Sequence, residues 1–249
     1  MSSPAPLPPA LLDSLRRAGR VVVLTGAGIS AESGVPTFRQ AQTGLWAQYD
    51  PQELATPAAF RRQPQLVWDW YAWRRELVAG VAPNPGHFAL ASMESHIPAF
   101  TLITQNVDSL HQRAGSRHVI ELHGNIARVK CSREERVVET WPATEERPPR
   151  CPNCGAFLRP DVVWFGEALP AAALHASSEA ARRADVFLTV GTSGLVQPAA
   201  SLPLLAADNG ALTVEINIED TPLSPWMGYT LRGPSGVILP ALVASTWPG

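Results

Sequence analysis

The sequence predicts an α/β chain: a large domain on a doubly wound parallel sheet, with a smaller lobe formed by two insertions. Three observations carry this. Apolar, often β-branched runs at 21–25, 100–104, 186–190, 212–216 and 237–239 read as strands, with helix-like stretches between several of them. The first run stops at Gly26 and opens a glycine turn. Two stretches, 40–83 and 128–160, interrupt the rhythm. Strands that alternate with helices form parallel sheets covered on both faces.

In chain order, residues 11–17 read as a short helix ended by Gly19. Val21, Val22, Val23, Leu24 and Thr25 form a run of the buried-strand type. Within 40–83 no strand is evident, and 65–79 carries a helix pattern. The stretch 128–160 is polar, contains prolines and holds all three cysteines. Residues 171–184 read as a further helix. The core is therefore expected over 1–39, 84–127 and 161–249, with 40–83 and 128–160 building the smaller lobe. A cleft between lobes is where ligands tend to sit.

The 249 residues are 45% hydrophobic and 17% charged, so a sizeable core is expected rather than disorder. Twenty Lys plus Arg against twenty-two Asp plus Glu give a net charge of −2. That balance argues against a nucleic-acid or anionic-membrane surface. No apolar run approaches the roughly 18–20 residues of a membrane helix. No positive segment precedes the first apolar stretch, so no secretory signal is expected. Three cysteines are an odd count, too few for a disulfide scaffold, and point to the reducing cytoplasm.

Gly26-Ala27-Gly28-Ile29-Ser30-Ala31 matches the dinucleotide pattern G-x-G-x-x-G/A directly after a strand. Its glycines let backbone N–H groups approach a pyrophosphate. An ordinary strand-to-helix turn gives the same pattern. The acidic residue expected about 20 positions on, at the end of a second strand, is missing. Asp50 and Glu53 fall there in a segment that does not read as a strand, so an ordinary dehydrogenase is not expected. The continuation Glu32-Ser33-Gly34-Val35-Pro36-Thr37-Phe38-Arg39 stays in a loop, and Arg39 can meet a phosphate or ribose.

Taken with Thr104-Gln105-Asn106-Val107-Asp108-Ser109-Leu110-His111 and Glu121-Leu122-His123-Gly124-Asn125, the chain resembles the sirtuin family of NAD-dependent protein-lysine deacylases. Further matches are 162–167 (Val-Val-Trp-Phe-Gly-Glu), Gly191-Thr192-Ser193 and 214–217 (Val-Glu-Ile-Asn). They follow family order from about residue 20 to the C-terminus, as one catalytic domain with a Rossmann-like sheet. The resemblance implies NAD as a consumed co-substrate. It assigns to NAD the residues Gly26, Ala27, Gly28, Ser30, Ala31, Glu32, Thr37, Phe38, Arg39 and Trp46. It also implies Gln105, Asn106, Val107 and Asp108 at the nicotinamide end, where Asp108 can accept from the carboxamide. An Asx-rich loop satisfying its own backbone is the other reading of that segment.

A lone histidine is more often structural than a base. The Leu-His-Gly-Asn context of His123 matches the family's catalytic histidine, and its ordinary pKa near 6.5 suits a general base. The resemblance implies that the acyl-lysine carbonyl oxygen attacks C1′ of the nicotinamide ribose and nicotinamide leaves. His123 then activates a ribose hydroxyl against the alkylimidate, giving free lysine and 2′-O-acyl-ADP-ribose. His111 and His118 are read as non-catalytic. The small side chains of Gly191, Thr192 and Ser193 leave room for phosphates, the groups at Asn217, Ile218 and Glu219 can hold the adenosine ribose, and Ser235 matches the late family position near adenine. Structural turns are an alternative for the last.

The segment 162–167 resembles the strand-like lip that pairs with substrate backbone, through Val163 and Phe165. Packing of Val162, Trp164 and Phe165 in the core is the alternative. Tyr71 and Arg74 stand i, i+3 in the helix pattern and so share a face. A phenol and a guanidinium on one spot can bind a carboxylate. Tyr-x-x-Arg, with the small Ala55, resembles the class III sirtuins that remove succinyl, malonyl and glutaryl groups; a core tyrosine beside a surface arginine is the other reading.

Cys151-Pro152-Asn153-Cys154 is a zinc-knuckle signal, with Cys131 twenty residues earlier. Sirtuins commonly hold zinc with two such pairs, but Ser132-Arg133-Glu134 follows Cys131 here, so a fourth thiolate is absent. Glu134 can supply the missing ligand, or the cysteines are free thiols. The expected protein is a cytoplasmic, monomeric deacylase of acyl-lysine proteins or peptides, without nucleic-acid or membrane partners. A mono-ADP-ribosyltransferase and a non-catalytic NAD-sensing module are the rivals.

Overall fold

The computed structural model describes residues 6–36 and 48–248. The chain begins with α1 (Pro9–Arg17), β1 (Arg20–Thr25) and the short α2 (Ala27–Ala31). Helices α3 (Pro51–Leu54), α4 (Pro57–Arg62), α5 (Pro64–Ala79) and α6 (Pro85–His96) follow. Next come β2 (Ala99–Thr104), α7 (Leu110–Arg113), β3 (Val119–Glu121), β4 (Gly124–Cys131) and β5 (Leu158–Val162). The last third holds α8 (Ala171–Arg182), β6 (Val186–Val190), α9 (Leu202–Asp208), β7 (Leu212–Asn217), β8 (Tyr229–Arg232) and α10 (Ser235–Thr246).

Six parallel strands form one sheet in the order β3-β2-β1-β6-β7-β8. Alternate residues of β1 explain why it is covered on both sides. Val21 and Val23 pack with Leu11, Leu90 and Leu239. Val22 and Leu24 pack with Ile103, Ala181 and Leu202. Chain order reverses at β1, so the loops after β1 and β6 leave the sheet side by side, the place where open α/β sheets bind ligands.

The smaller lobe joins α3, α4 and α5 to the antiparallel pair β4–β5. Leu54, Phe60, Val67, Trp70 and Tyr71 pack with Ile126, Val162 and Trp164. Trp68 packs instead with Val129, Cys131, Cys151 and Leu158. Helix α5 thus bridges the helical region and the cysteine region.

One expected strand is a helix. Residues 237–239 lie inside α10, where Ile238, Leu239 and Leu242 are buried. A three-residue apolar run carries no periodicity, so burial alone does not separate strand from helix. The sixth strand is β8, an edge strand with no fully buried residue. Among the described residues no helix is long and apolar enough to cross a membrane.

Candidate active site

The glycines after β1 and β6 are set by each other. Gly26 N donates to Val190 O at 3.0 Å and Gly28 N to Gly191 O at 2.7 Å. A Cβ on Gly28 would lie 2.7 Å from Gly191 Cα, and one on Gly26 2.7 Å from the Thr192 Cβ. Gly191 has φ +58°, and its own Cβ would meet Ile29 N at 2.6 Å. The two loops therefore touch backbone to backbone, which only glycine permits.

The segment after β2 is tied into both loops. Asn106 Nδ2 donates to Gly26 O and to Ser30 Oγ, each at 3.0 Å. Ser30 Oγ donates to Asp108 Oδ2 at 2.6 Å, and Leu110 N donates to Asp108 Oδ1 at 2.9 Å. Gln105 Nε2 donates to Thr192 Oγ1 at 3.0 Å. Burial pushes the Asp108 carboxyl above its ordinary range, while the Ser30 and Leu110 bonds pull it back. The Asx reading is thus partly realised, at Leu110. Val107 is half-buried, its carbonyl accepting from Ile126 N at 2.9 Å.

His123 follows β3, with Nδ1 2.8 Å from Gln105 O. A carbonyl only accepts, so Nδ1 carries the proton and Nε2 keeps a lone pair. Burial lowers the pKa of His123, and the Gln105 bond opposes that. His111 is buried with Nε2 2.9 Å from Thr25 Oγ1, and His118 pairs with Glu94 at 2.6 Å.

Toward β7, Asn217 Nδ2 donates to Thr192 O at 2.9 Å, and Ile218 and Glu219 are exposed. Glu32 and Ser235 bond each other: Ser235 Oγ donates to Glu32 Oε1 at 2.6 Å, and Gly236 N donates to it at 3.0 Å. Glu32 therefore closes the start of α10. Sequence reasoning quoted Glu215 within the 214–217 match but gave it no role. It is buried in β7 and accepts from Ser224 Oγ at 2.5 Å, from Arg232 at 2.8 Å and from Thr221 Oγ1. These bonds pin the loop that follows Asn217. A carboxylate inside an apolar strand run was the available signal. Thr37, Phe38, Arg39 and Trp46 lie outside the described residues.

On the lobe side, the strand expected over 162–167 ends at Val162. The next residues turn because their amides are used elsewhere. Val163 N donates to His123 O and Phe165 N to Ala55 O, each at 2.9 Å. Alternation persists nonetheless: Val162 and Trp164 are buried, Val163 is half-buried and Phe165 is 46% exposed. Core packing therefore holds for the first two and not for Phe165. Ala55 is buried. Tyr71 is 2% exposed, and its oxygen accepts the Trp164 indole N–H at 3.0 Å. Arg74 is half-buried, its guanidinium carbon 5.2 Å from the Trp70 ring centroid. Burial lifts the Tyr71 phenol pKa, which Arg74 opposes; burial also lowers that of Arg74, which Tyr71 opposes.

Residues 26–198 match the family model described as Sir2 family. The chain belongs to the Sir2 family. It is 58% identical over 206 residues to an NAD-dependent protein deacylase of Aquifex aeolicus, covering 82% of this chain and 85% of the relative. It is 50% identical over 248 residues to NAD-dependent protein deacylase 1 of Pseudomonas aeruginosa, covering 96% and 99%. A crystal structure of a Sir2 homologue–NAD complex superposes with a TM-score of 0.90 at 46% identity, covering 99% of this chain and 96% of that one.

This Sir2 chain carries a fitting metal donor set in its smaller lobe. One ligand atom each from Cys131, Glu134, Cys151 and Cys154 lies within 4.8 Å of the others. Cys131 Sγ is 3.4 Å from Cys154 Sγ, and Arg133 N and Glu134 N both donate to Cys131 Sγ at 3.4 Å. Three thiolates and a carboxylate are ligands that structural zinc accepts. The turn after β4 brings Glu134 to the place of the absent cysteine.

Proposed function

We propose that this NAD-dependent protein deacylase removes succinyl and malonyl groups from lysine side chains, and acetyl groups as well. The observation that carries the acyl preference is the Tyr71–Arg74 pair on α5, with a buried phenol beside a half-buried cation. A terminal carboxylate entering that spot meets two charge-assisted hydrogen bonds where water is scarce. Buried Ala55 adds little bulk beside it.

Each other residue has a role in this reading. The backbone at Gly26, Ala27, Gly28 and Ala31 and the small Gly191, Thr192 and Ser193 border the phosphates of NAD, with Ser30 beside them. Asn217, Ile218 and Glu219 face the adenosine end, with Glu32 and Ser235 holding α10 against it. Asp108 accepts from the carboxamide of nicotinamide, while Gln105, Asn106 and Val107 shape its surroundings. His123 Nε2 takes a proton from a ribose hydroxyl, and the backbone at Val163 and Phe165 borders the substrate peptide. One water is consumed in releasing the amine, and the products are nicotinamide, free lysine and 2′-O-acyl-ADP-ribose. Zinc at Cys131, Glu134, Cys151 and Cys154 would cross-link the outer end of the smaller lobe. The reading places the chain in the cytoplasm as a monomer.

The test is a panel of succinyl, malonyl and acetyl peptides followed by mass spectrometry. Hydrogen bonds to charged groups contribute about 1.5–3 kcal/mol, so Arg74→Met should lower kcat/KM for succinyl peptide by roughly one to two orders of magnitude. Acetyl turnover should stay near wild type, because an acetyl methyl makes no use of a guanidinium. Equal loss for both peptides, or a wild type that ignores succinyl-lysine, overturns the preference.

A further inference from the structure

We propose that Trp164 is a positioning residue for acyl selection, fixing the direction in which the Tyr71 hydroxyl donates. The inference rests on the carboxylate-binding reading of Tyr71 and Arg74 and goes beyond it. An indole N–H only donates, so at the 3.0 Å contact Trp164 gives its proton to the Tyr71 oxygen. That contact occupies an acceptor position of the phenol and turns the phenolic O–H away from the indole. The hydroxyl proton has no acceptor among the described residues. It is a donor held in one direction, and a terminal carboxylate is its complement.

Trp164 is itself held on several sides. The Arg159 guanidinium carbon sits 3.4 Å from its ring centroid, and Phe60 packs at 5.2 Å. Arg159 is 3% exposed and makes a two-pronged bond to Glu167, at 2.6 and 2.9 Å. The same carboxylate accepts Trp164 N at 2.8 Å, locking the backbone that carries the ring. A cation stacked on an indole also polarises its N–H and strengthens it as a donor. The chain of contacts Glu167, Arg159, Trp164, Tyr71 therefore ends in one oriented O–H. Acetyl-lysine has no carboxylate to receive it, so the arrangement affects acidic acyl groups selectively.

The test compares succinyl and acetyl peptides in wild type, Trp164→Phe, Tyr71→Phe, the double variant and Arg74→Met. Trp164→Phe keeps an aromatic ring and removes the donor together with part of the indole ring system. It should lower kcat/KM for succinyl peptide about threefold to tenfold, the range of one lost hydrogen bond, with acetyl turnover within about twofold. In the Tyr71→Phe background the Trp164 change should have no further effect on succinyl peptide. A benzothienylalanine at position 164, which replaces N–H by sulfur in a ring of nearly the same shape, gives the same comparison should the phenylalanine variant fold poorly. NAD affinity should match wild type in both variants, and the benzothienylalanine variant should also unfold at the wild-type temperature. Equal loss for both peptides, no loss for either, or a loss that persists without the Tyr71 hydroxyl overturns the inference. If Arg74→Met still discriminates in that case, the carboxylate reading stands alone. A wild type without succinyl turnover overturns both.

Discussion

Acidifying the protein from about pH 7.5 to about pH 5 is expected to cost about 4 kcal/mol of stability through two histidines alone. His87 and His111 are buried, their ring centroids 4.8 Å apart. Neither His87 Nε2 nor His111 Nδ1 has a hydrogen-bond partner among the described residues, so nothing there is placed to receive a new proton's charge. Burial pushes the pKa of His87 down to about 4; burial and then the His87 charge push that of His111 down to about 3. In the unfolded chain both titrate near 6.5. The unfolded state thus binds more protons below about pH 6.5, so stability is full above that value and falls as pH drops. At about pH 5 each unfolded imidazole is almost fully charged and each folded one is almost neutral, which is worth about 2 kcal/mol per histidine. Asp108, its pKa raised by burial, works in the opposite direction at lower pH. Urea unfolding at constant ionic strength measures the effect, and His87→Gln should remove about half of the loss. A wild type whose stability is flat over this range would refute the reasoning, as would a His87→Gln variant with an unchanged slope.

Other outcomes follow from the same geometry. His123→Ala should lower deacylation by about 10²- to 10⁴-fold while thermal stability and NAD affinity persist; near wild-type turnover would remove His123 as the base. Because burial depresses the His123 pKa, the acidic limb of kcat/KM should lie below the ordinary histidine value near 6.5, and a limb above it contradicts a neutral Nε2 base. Protein purified without chelator should hold close to one zinc per chain, and Glu134→Ala should lose zinc to a competing chelator faster than wild type does. Metal analysis that finds an active, zinc-free protein would leave the three cysteines as free thiols.

How legible each region was depends on where its determinants lie. The four central strands were visible because a strand buried on both faces is apolar throughout, as in Val21, Val22 and Val23. The edge strands β3 and β8 escaped because an edge covers less surface, and Tyr229 to Arg232 shows no apolar run. Residues 237–239 misled for the opposite reason: α10 is so well buried that its residues look like a strand. Glu215 lay in a strand run and in a motif match, yet its partners Thr221, Ser224 and Arg232 follow 6–17 residues later, where neither its strand nor its motif points. The Tyr71–Trp164 contact joins residues 93 apart, and no local spacing reports a pairing of that range.

The glycines show why a motif read correctly still conceals its physics. In sequence, Gly26 and Gly28 suggest space left for a phosphate. In the fold the space is first taken by Gly191, whose backbone oxygen receives Gly28 N–H at 2.7 Å. The sheet dictates that meeting. Thr25 pairs with Val190 in the β1–β6 register, so the residues that follow them, Gly26 and Gly191, emerge together. The register in turn is fixed by the two apolar layers on either face of β1. Asn106 and Gln105 then reach across from the neighbouring β2 loop to Gly26 O and Thr192 Oγ1, closing the site from a third strand. The donors and acceptors proposed to border the cofactor are therefore held by core packing and by one another, and in that reading the ordering cost of binding NAD is limited. A side chain at Gly28 or Gly191 would act through this lattice: its Cβ would meet the facing backbone and push the loops of β1 and β6 away from each other, and with them the surroundings of Asp108.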